Sequence, residues 1–206
     1  MPEERPSHSR LPGQLATSAE SVADRPQSWP VTESDIVYDG GFIRVREESV
    51  TSPSGETLAR TVVEHKGATC VVALDEEGRI LLLEQYRHPV GRRLVEIPAG
   101  ILDVDGESVE EAIARELGEE ADLSAARWDK LASVYSSPGF TDERVEVYLA
   151  RDLSPLPEEG RTERSQEEAD MSSLWLPLTD AVTAVLDGRI SNALAVIGIL
   201  ATAAAV

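Results

Sequence analysis

Apolar positions along this chain change period several times, and each change marks an element. From Asp35 the pattern is strand-like. Phe42-Ile43-Arg44-Val45-Arg46 alternates, Ser52-Pro53-Ser54-Gly55 forms a turn, and Leu58 to His65 returns, which predicts a hairpin in a small antiparallel sheet. Thr69–Leu74 and Ile80–Gln85 flank the turn Asp75-Glu76-Glu77-Gly78-Arg79 and predict a second hairpin. Both runs are almost continuously apolar, as expected of strands covered on two faces. The period then lengthens. Val109, Ile113, Leu117 and Ala121 form one helical stripe, and Ser108-Val109-Glu110-Glu111 is a capping box that starts the helix at about Val109. Trp128–Tyr135, Arg144–Ala150 and Leu174-Trp175-Leu176 read as further strands. A helix Ala181–Leu186, capped by Thr179-Asp180 and ended by Gly188, and an apolar helix from Asn192 to about Ala204, capped by Ser191, close the chain. Strands alternating with helices in this way imply an α/β fold, an α/β/α sandwich around a mixed sheet.

Two stretches lack periodicity. Residues 1–34 are rich in Pro, Ser, Glu and Arg and read as a flexible tail, with Trp29-Pro30 its one adhesive spot. Trp29 either docks on the domain surface or stacks on a base. Residues 35–66 form the small sheet, which cannot bury its apolar face alone and should lie on the main domain, 67–206, or on a second subunit. Ser154–Asp170 is long and polar, and loops of that length are usually functional or disordered. Within it Glu158, Glu159 and Glu163 read as solvated, whereas Glu167 and Glu168 directly precede the last strand and are candidates for function.

The formal net charge of −19 makes nucleic acid and anionic membranes poor partners. The longest apolar run, Ala193–Val206, falls short of the about 20 residues that span a bilayer. One cysteine, Cys70, sits in an apolar run, and Met1–Arg10 has no apolar signal core, so a cytoplasmic setting is expected. An acidic protein that handles an anionic substrate needs local cations. Arg87, Arg92 and Arg93 form a cationic cluster; Arg87, at a strand end, is the candidate for a phosphate contact, with an ordinary surface arginine as the alternative, and Arg92 and Arg93 read as surface cations. His65 reads as a strand residue, since no second histidine or cysteine is near it.

Glu116, Glu119 and Glu120 share one face of the helix, overlapping the edge of its apolar stripe. Carboxylates crowded in that place resist joint ionisation, and a divalent cation resolves the conflict. Oxygen ligands on a rigid helix suit Mg²⁺. Arg115, beside them, is placed to orient one carboxylate. A solvated acidic helix is the alternative.

Glu107, seven residues, then Arg115-Glu116-Leu117-Gly118-Glu119-Glu120 resembles the Nudix hydrolase box. Two departures stand out: six residues rather than five separate Gly100 from Glu107, and Asp122 replaces the closing glycine. Asp tolerates the left-handed conformation that glycine takes there. Within the family the chain is similar to ADP-ribose pyrophosphatases, through Glu96-Ile97-Pro98-Ala99-Gly100 and through Ser137-Pro138-Gly139-Phe140-Thr141-Asp142-Glu143 downstream. The resemblance implies a Nudix fold and Mg²⁺-dependent (Mn²⁺ is an alternative) hydrolysis of ADP-ribose to AMP and ribose 5-phosphate. It implies metal ligands Glu116, Glu119, Glu120 and the Ala99 carbonyl, with Arg115 positioning them. It also implies a mobile carboxylate, Glu167 or Glu168, as base or, for Glu168, as a further metal ligand. Arg60, Arg87, Pro138, Gly139 and Glu143 are candidate contacts to a nucleoside diphosphate sugar, and a homodimer is implied by the N-terminal hairpins. Another sugar nucleotide, or a module that binds ADP-ribose without cleaving it, are the other readings.

Overall fold

The computed structural model describes residues 7–162 and 170–206. Ten strands, three α-helices and three short 3-10 turns follow one another along the described chain. The strands form three sheets. β1 (Val31–Asp39), β2 (Ile43–Thr51) and β3 (Thr57–His65) make an antiparallel sheet in that order. β4 (Ala68–Ala73) sits between β7 (Ala99–Ile101) and β9 (Arg144–Pro155), and β8 (Leu123–Tyr135) pairs with β9 at the far edge. β4 runs parallel to β9 and every other pair in this sheet is antiparallel, so the sheet is mixed. The third sheet has the order β10 (Ser172–Pro177), β5 (Arg79–Arg87), β6 (Arg92–Glu96).

Side-chain alternation along β4, β5 and β9 builds a core on each face. Cys70, Val72, Ile80, Leu82, Val147 and Leu149 pack with α2 (Leu178–Leu186) and α3 (Ala193–Ala205). Val71, Ala73, Leu81, Leu83, Tyr148 and Ala150 pack with Ile113 and Leu117 of α1 (Val109–Ala121). Period two sends consecutive apolar residues to opposite layers, which is why these strands are apolar throughout. The expected α/β/α layering is the one observed. Cys70 is fully buried in the first core, and burial pushes its thiol up to about 12.

Three expectations need correction. β4 and β5 are not partners: their turn closes through one bridge, Leu74 to Ile80, and the strands then part into different sheets. A strand apolar on both faces does not encode its neighbour, whereas the alternating β2 and β3 do pair, from Ile43 opposite His65 to Thr51 opposite Thr57. α2 begins at Leu178 after Pro177, with no side-chain cap, so Thr179 and Asp180 lie inside it. Asn192, not Ser191, caps α3 by accepting from the Ala195 N–H at 3.0 Å.

β1 starts at Val31, inside the stretch read as a tail, and all nine of its residues are exposed. The N-terminal sheet is tied to the rest of the chain through β3. The Val63 N–H donates to the Phe140 carbonyl at 2.7 Å, and the Asp142 N–H donates to the Val63 carbonyl at 3.3 Å. Arg93, read as a surface cation, donates to the Glu84 and Asp170 carbonyls and ties β6 to the chain before β10.

α3 crosses the sheet closely at Gly198. A Cβ there would come within 2.8 Å of Ile97 and 2.9 Å of Val72. Ile97 leads into β7, so this contact sets the depth of the strand that carries the site. Gly198→Val is expected to lower unfolding free energy by roughly 1–3 kcal/mol, the usual cost of overpacking. Urea denaturation checks this, and an unchanged midpoint would show that the approach is not tight.

Candidate active site

The site starts at the N-terminus of α1. The Ser108 hydroxyl accepts from the Glu111 N–H at 3.2 Å, and the Glu111 carboxylate accepts from the Ser108 N–H at 2.8 Å, the capping box read from the sequence. At the other end Asp122 takes a left-handed conformation, φ 55°, and caps the helix with its N–H on the Gly118 carbonyl. The replaced glycine therefore leaves the helix end intact. Between these caps the 3.6-residue period turns Ile113 and Leu117 into the core and brings Glu116 and Glu120 against β7, with Glu119 turned toward Arg115.

Arg115 is the hub of that face. Its Nε and Nη2 donate to the two oxygens of Glu107 at 3.0 and 3.1 Å, a paired fork. Its Nη1 donates to Glu116 at 2.7 Å and to Glu119 at 3.0 Å. The Glu107 hydrogen bonds, with Glu116 and Glu119, hold the guanidinium above its already high usual range. The sequence pattern gave Arg115 one carboxylate to orient; it serves three. Lysine could not do this, having no planar fork.

Glu116 and Glu120 meet the backbone of β7. The Glu116 carboxylate lies directly against Gly100, and any Cβ at position 100 would overlap it. Glu120 is 8 % exposed and accepts from the Ala99 N–H at 2.9 Å. Ala99 and Gly100 therefore sit beside both carboxylates. The same two residues line a cleft of about 430 Å³ with Ile101, His65, Arg87 and Glu143, and the start of α3 borders it. Arg87 faces that cleft with its guanidinium forked onto Glu96, at 2.9 and 2.7 Å. Glu96 is 4 % exposed, so the pair fixes Arg87 at the cleft wall.

The structure thus brings together Ala99, Glu116, Glu119, Glu120 and Arg115, with Arg87 and Glu143 on the adjoining cleft. Pro138 and Gly139 lie in the loop that ends at Glu143, Gly139 at its exposed tip. Arg60 is elsewhere: it lines a separate cleft of about 470 Å³ on the N-terminal sheet, with Trp29, Glu48 and Val50. Glu167 and Glu168 lie outside the described residues. Among the described residues no three acidic, histidine or cysteine side chains stand together as a metal cluster. Glu116 and Glu119 are drawn to Arg115 and Glu120 to Ala99, which accounts for their separation.

Two residues at the cleft escape a reading of the sequence alone. Glu96 is a lone acid between Val95 and Ile97, and an acid in an apolar run is a signal of a buried ion pair. His65 has no ligand type close to it in sequence, yet its neighbour in space, Glu143, comes from the far end of another loop.

Gly100→Ala is expected to displace the Glu116 carboxylate while leaving both cores untouched. Turnover should fall at least about tenfold, since small misplacements at a site are costly, with the melting temperature little changed. A fully active variant would contradict the packing of Glu116 on Gly100.

Residues 64–195 match the model of the NUDIX domain. The chain is 46 % identical to an ADP-ribose pyrophosphatase of Mycobacterium tuberculosis (strain ATCC 25618 / H37Rv) over 82 % of its length and 80 % of the relative's. It is 37 % identical to an ADP-ribose pyrophosphatase of Bacillus subtilis (strain 168), over 76 % and 83 %. A solved structure of an ADP compounds hydrolase superimposes with a TM-score of 0.73, covering 88 % of this chain and 96 % of that one at 18 % identity, which speaks for the fold. With the box carboxylates, their arginine and their glycine assembled on α1 and β7, the chain belongs to the Nudix family.

Proposed function

We propose that this Nudix hydrolase cleaves the diphosphate of ADP-ribose, giving AMP and ribose 5-phosphate. The observation that carries the reading is the double role of Ala99 and Gly100, which contact Glu120 and Glu116 and also line the cleft that holds Arg87. Substrate in that cleft lies beside the box carboxylates. The relatives named ADP-ribose pyrophosphatase, similar over most of the chain, support the choice of substrate.

Nudix hydrolases use divalent metal ions. Glu116, Glu119, Glu120 and the Ala99 carbonyl are all hard oxygen donors, the set that Mg²⁺ takes, with Mn²⁺ as a substitute. When bound, the ion neutralises diphosphate charge and acidifies water. The chain's own residues do the rest. Arg115 holds Glu116, which lies against β7, and Glu119 beside it. Arg87, held by Glu96, offers a cation to a phosphate. Hydrolysis joins the oxygen of water to one phosphorus and releases the other phosphate, and Glu167 or Glu168 from the late loop takes the proton, with Glu168 also available as a metal ligand.

The assembly proposed is a homodimer. Val31, Ile36, Val37 and Tyr38 on β1 are each more than half exposed, an apolar edge strand that a second copy can cover. Such a dimer is the route by which Arg60 and Trp29 would reach a partner's cleft. Among the described residues no helix is long and apolar enough to cross a membrane, and a cytoplasmic location fits the single buried thiol.

Product analysis with ADP-ribose and Mg²⁺ tests the reading, and no AMP would refute it. Glu116→Gln and Glu120→Gln should each lose about 10² or more in turnover, the scale of a lost electrostatic stabiliser; unaltered rates at matched Mg²⁺ would remove the metal assignment. One of Glu167→Gln and Glu168→Gln should lower kcat by about 10² with KM little changed. If both retain wild-type kcat, the base is not in that pair. Sedimentation at micromolar concentration should give a dimer, and an active monomer would sink the assembly.

A further inference from the structure

Tyr148 carries a hydroxyl where the surrounding core needs only an apolar ring. It projects from β9 into the layer under α1, in one cluster with Val71, Leu81, Ile113 and Leu117, and is 5 % exposed. A buried hydroxyl needs a partner. This one donates to the Glu110 carboxylate, in the first turn of α1, at 3.0 Å. Burial, with Glu110 beside it, pushes the phenol up to about 12, so the group stays a donor at neutral pH.

That bond resists a motion that the core alone permits. Apolar burial is non-directional, so Ile113 and Leu117 hold α1 on the sheet but define its rotation about its own axis only loosely. Glu110 and Glu116 stand on opposite margins of this apolar stripe, about 120° apart around the helix. The sheet below has the same division, with β7 on one side of β4 and β9 on the other. Glu116 lies against Gly100 on β7, and Glu110 accepts from Tyr148 on β9. A roll of α1 that alters the seat of Glu116 on one margin must therefore strain the Glu110 bond on the other. Toward the far end of the helix, about 15 Å along its axis from Glu110, Glu120 accepts from the Ala99 N–H. Hydrogen bonds thus tie the helix near both ends, to two different strands.

We propose that Tyr148 is a positioning residue for the metal-binding carboxylates: its hydroxyl, through Glu110, sets the rotation of α1 that seats Glu116 on Gly100 and Glu120 on Ala99. This rests on the proposed divalent-metal reading of those carboxylates and adds a residue that acts on them through α1, from the β9 side.

The test measures Mn²⁺ binding to the full chain by calorimetry without substrate, alongside ADP-ribose turnover against Mg²⁺ and the melting temperature. Tyr148→Phe keeps the ring in the core and removes only the hydroxyl. It should weaken Mn²⁺ binding, and raise the Mg²⁺ concentration for half-maximal turnover, by about tenfold, the scale for groups that orient metal ligands. KM for ADP-ribose at saturating Mg²⁺ and the melting temperature should change little. Glu110→Gln keeps an acceptor oxygen and should retain most of the affinity. Glu110→Ala should match Tyr148→Phe, and the double variant should be no worse than either, as expected of two partners in one bond. Wild-type Mn²⁺ affinity in Tyr148→Phe, even with a lowered melting temperature, would make the bond purely structural and overturn the proposal. Losses that add in the double variant would overturn it too, as would a Glu110→Gln loss equal to that of Glu110→Ala. Mn²⁺ binding by the wild type decides the metal reading separately: without it both readings fall, and with it only the ratios between variants bear on Tyr148.

Discussion

One guanidinium organises the chemistry of this protein. Arg115 lies among Glu107, Glu116 and Glu119, and its planar fork lets it satisfy all three at once. Without it, acids crowded along one helix face would repel each other and swing apart into solvent. With it, the three carboxylates are held in place and part of their negative charge is offset. The helix that carries them is fixed independently, by a capping box at one end and a left-handed aspartate at the other.

The layers of the fold bring that helix face to a strand with no room for error. Gly100 gives the Glu116 carboxylate its seat, and Ala99 donates its N–H to Glu120. On the opposite side of the sheet, Ile97 is pressed by α3 where Gly198 leaves space. Two glycines, one on each side, thus set the height of β7 between the layers. The cleft beyond β7 inherits this precision, because Ala99 and Gly100 form part of its wall.

The α1 helix, its caps and the shared face of Glu116, Glu119 and Glu120 were legible in sequence because they depend on residues within four positions of one another. The layering was legible too, since strands apolar on both faces demand cover on both. What escaped depends on distance along the chain. Nothing near Leu74 or Ile80 tells that β4 and β5 separate into different sheets. Glu96 and Arg87 meet across β5 and β6, and His65 meets Glu143 across the turn at Gly67 and the end of a remote loop. Local caps were misplaced at α2 and α3 because Thr179, Asp180 and Ser191 are as suitable by type as the residues used, and tertiary contacts such as the Leu178 N–H on the Gly78 carbonyl decide the register.

Arg115 arranges the carboxylates rather than merely balancing their charge, and everything at the site follows from that. Kinetics of Arg115→Lys on ADP-ribose across a Mg²⁺ titration test it most directly. Lysine keeps the charge and loses the fork. The expected result is a fall in kcat/KM of about 10² or more, a higher Mg²⁺ requirement and a melting temperature close to that of the wild type. Wild-type activity and Mg²⁺ dependence in Arg115→Lys would contradict it.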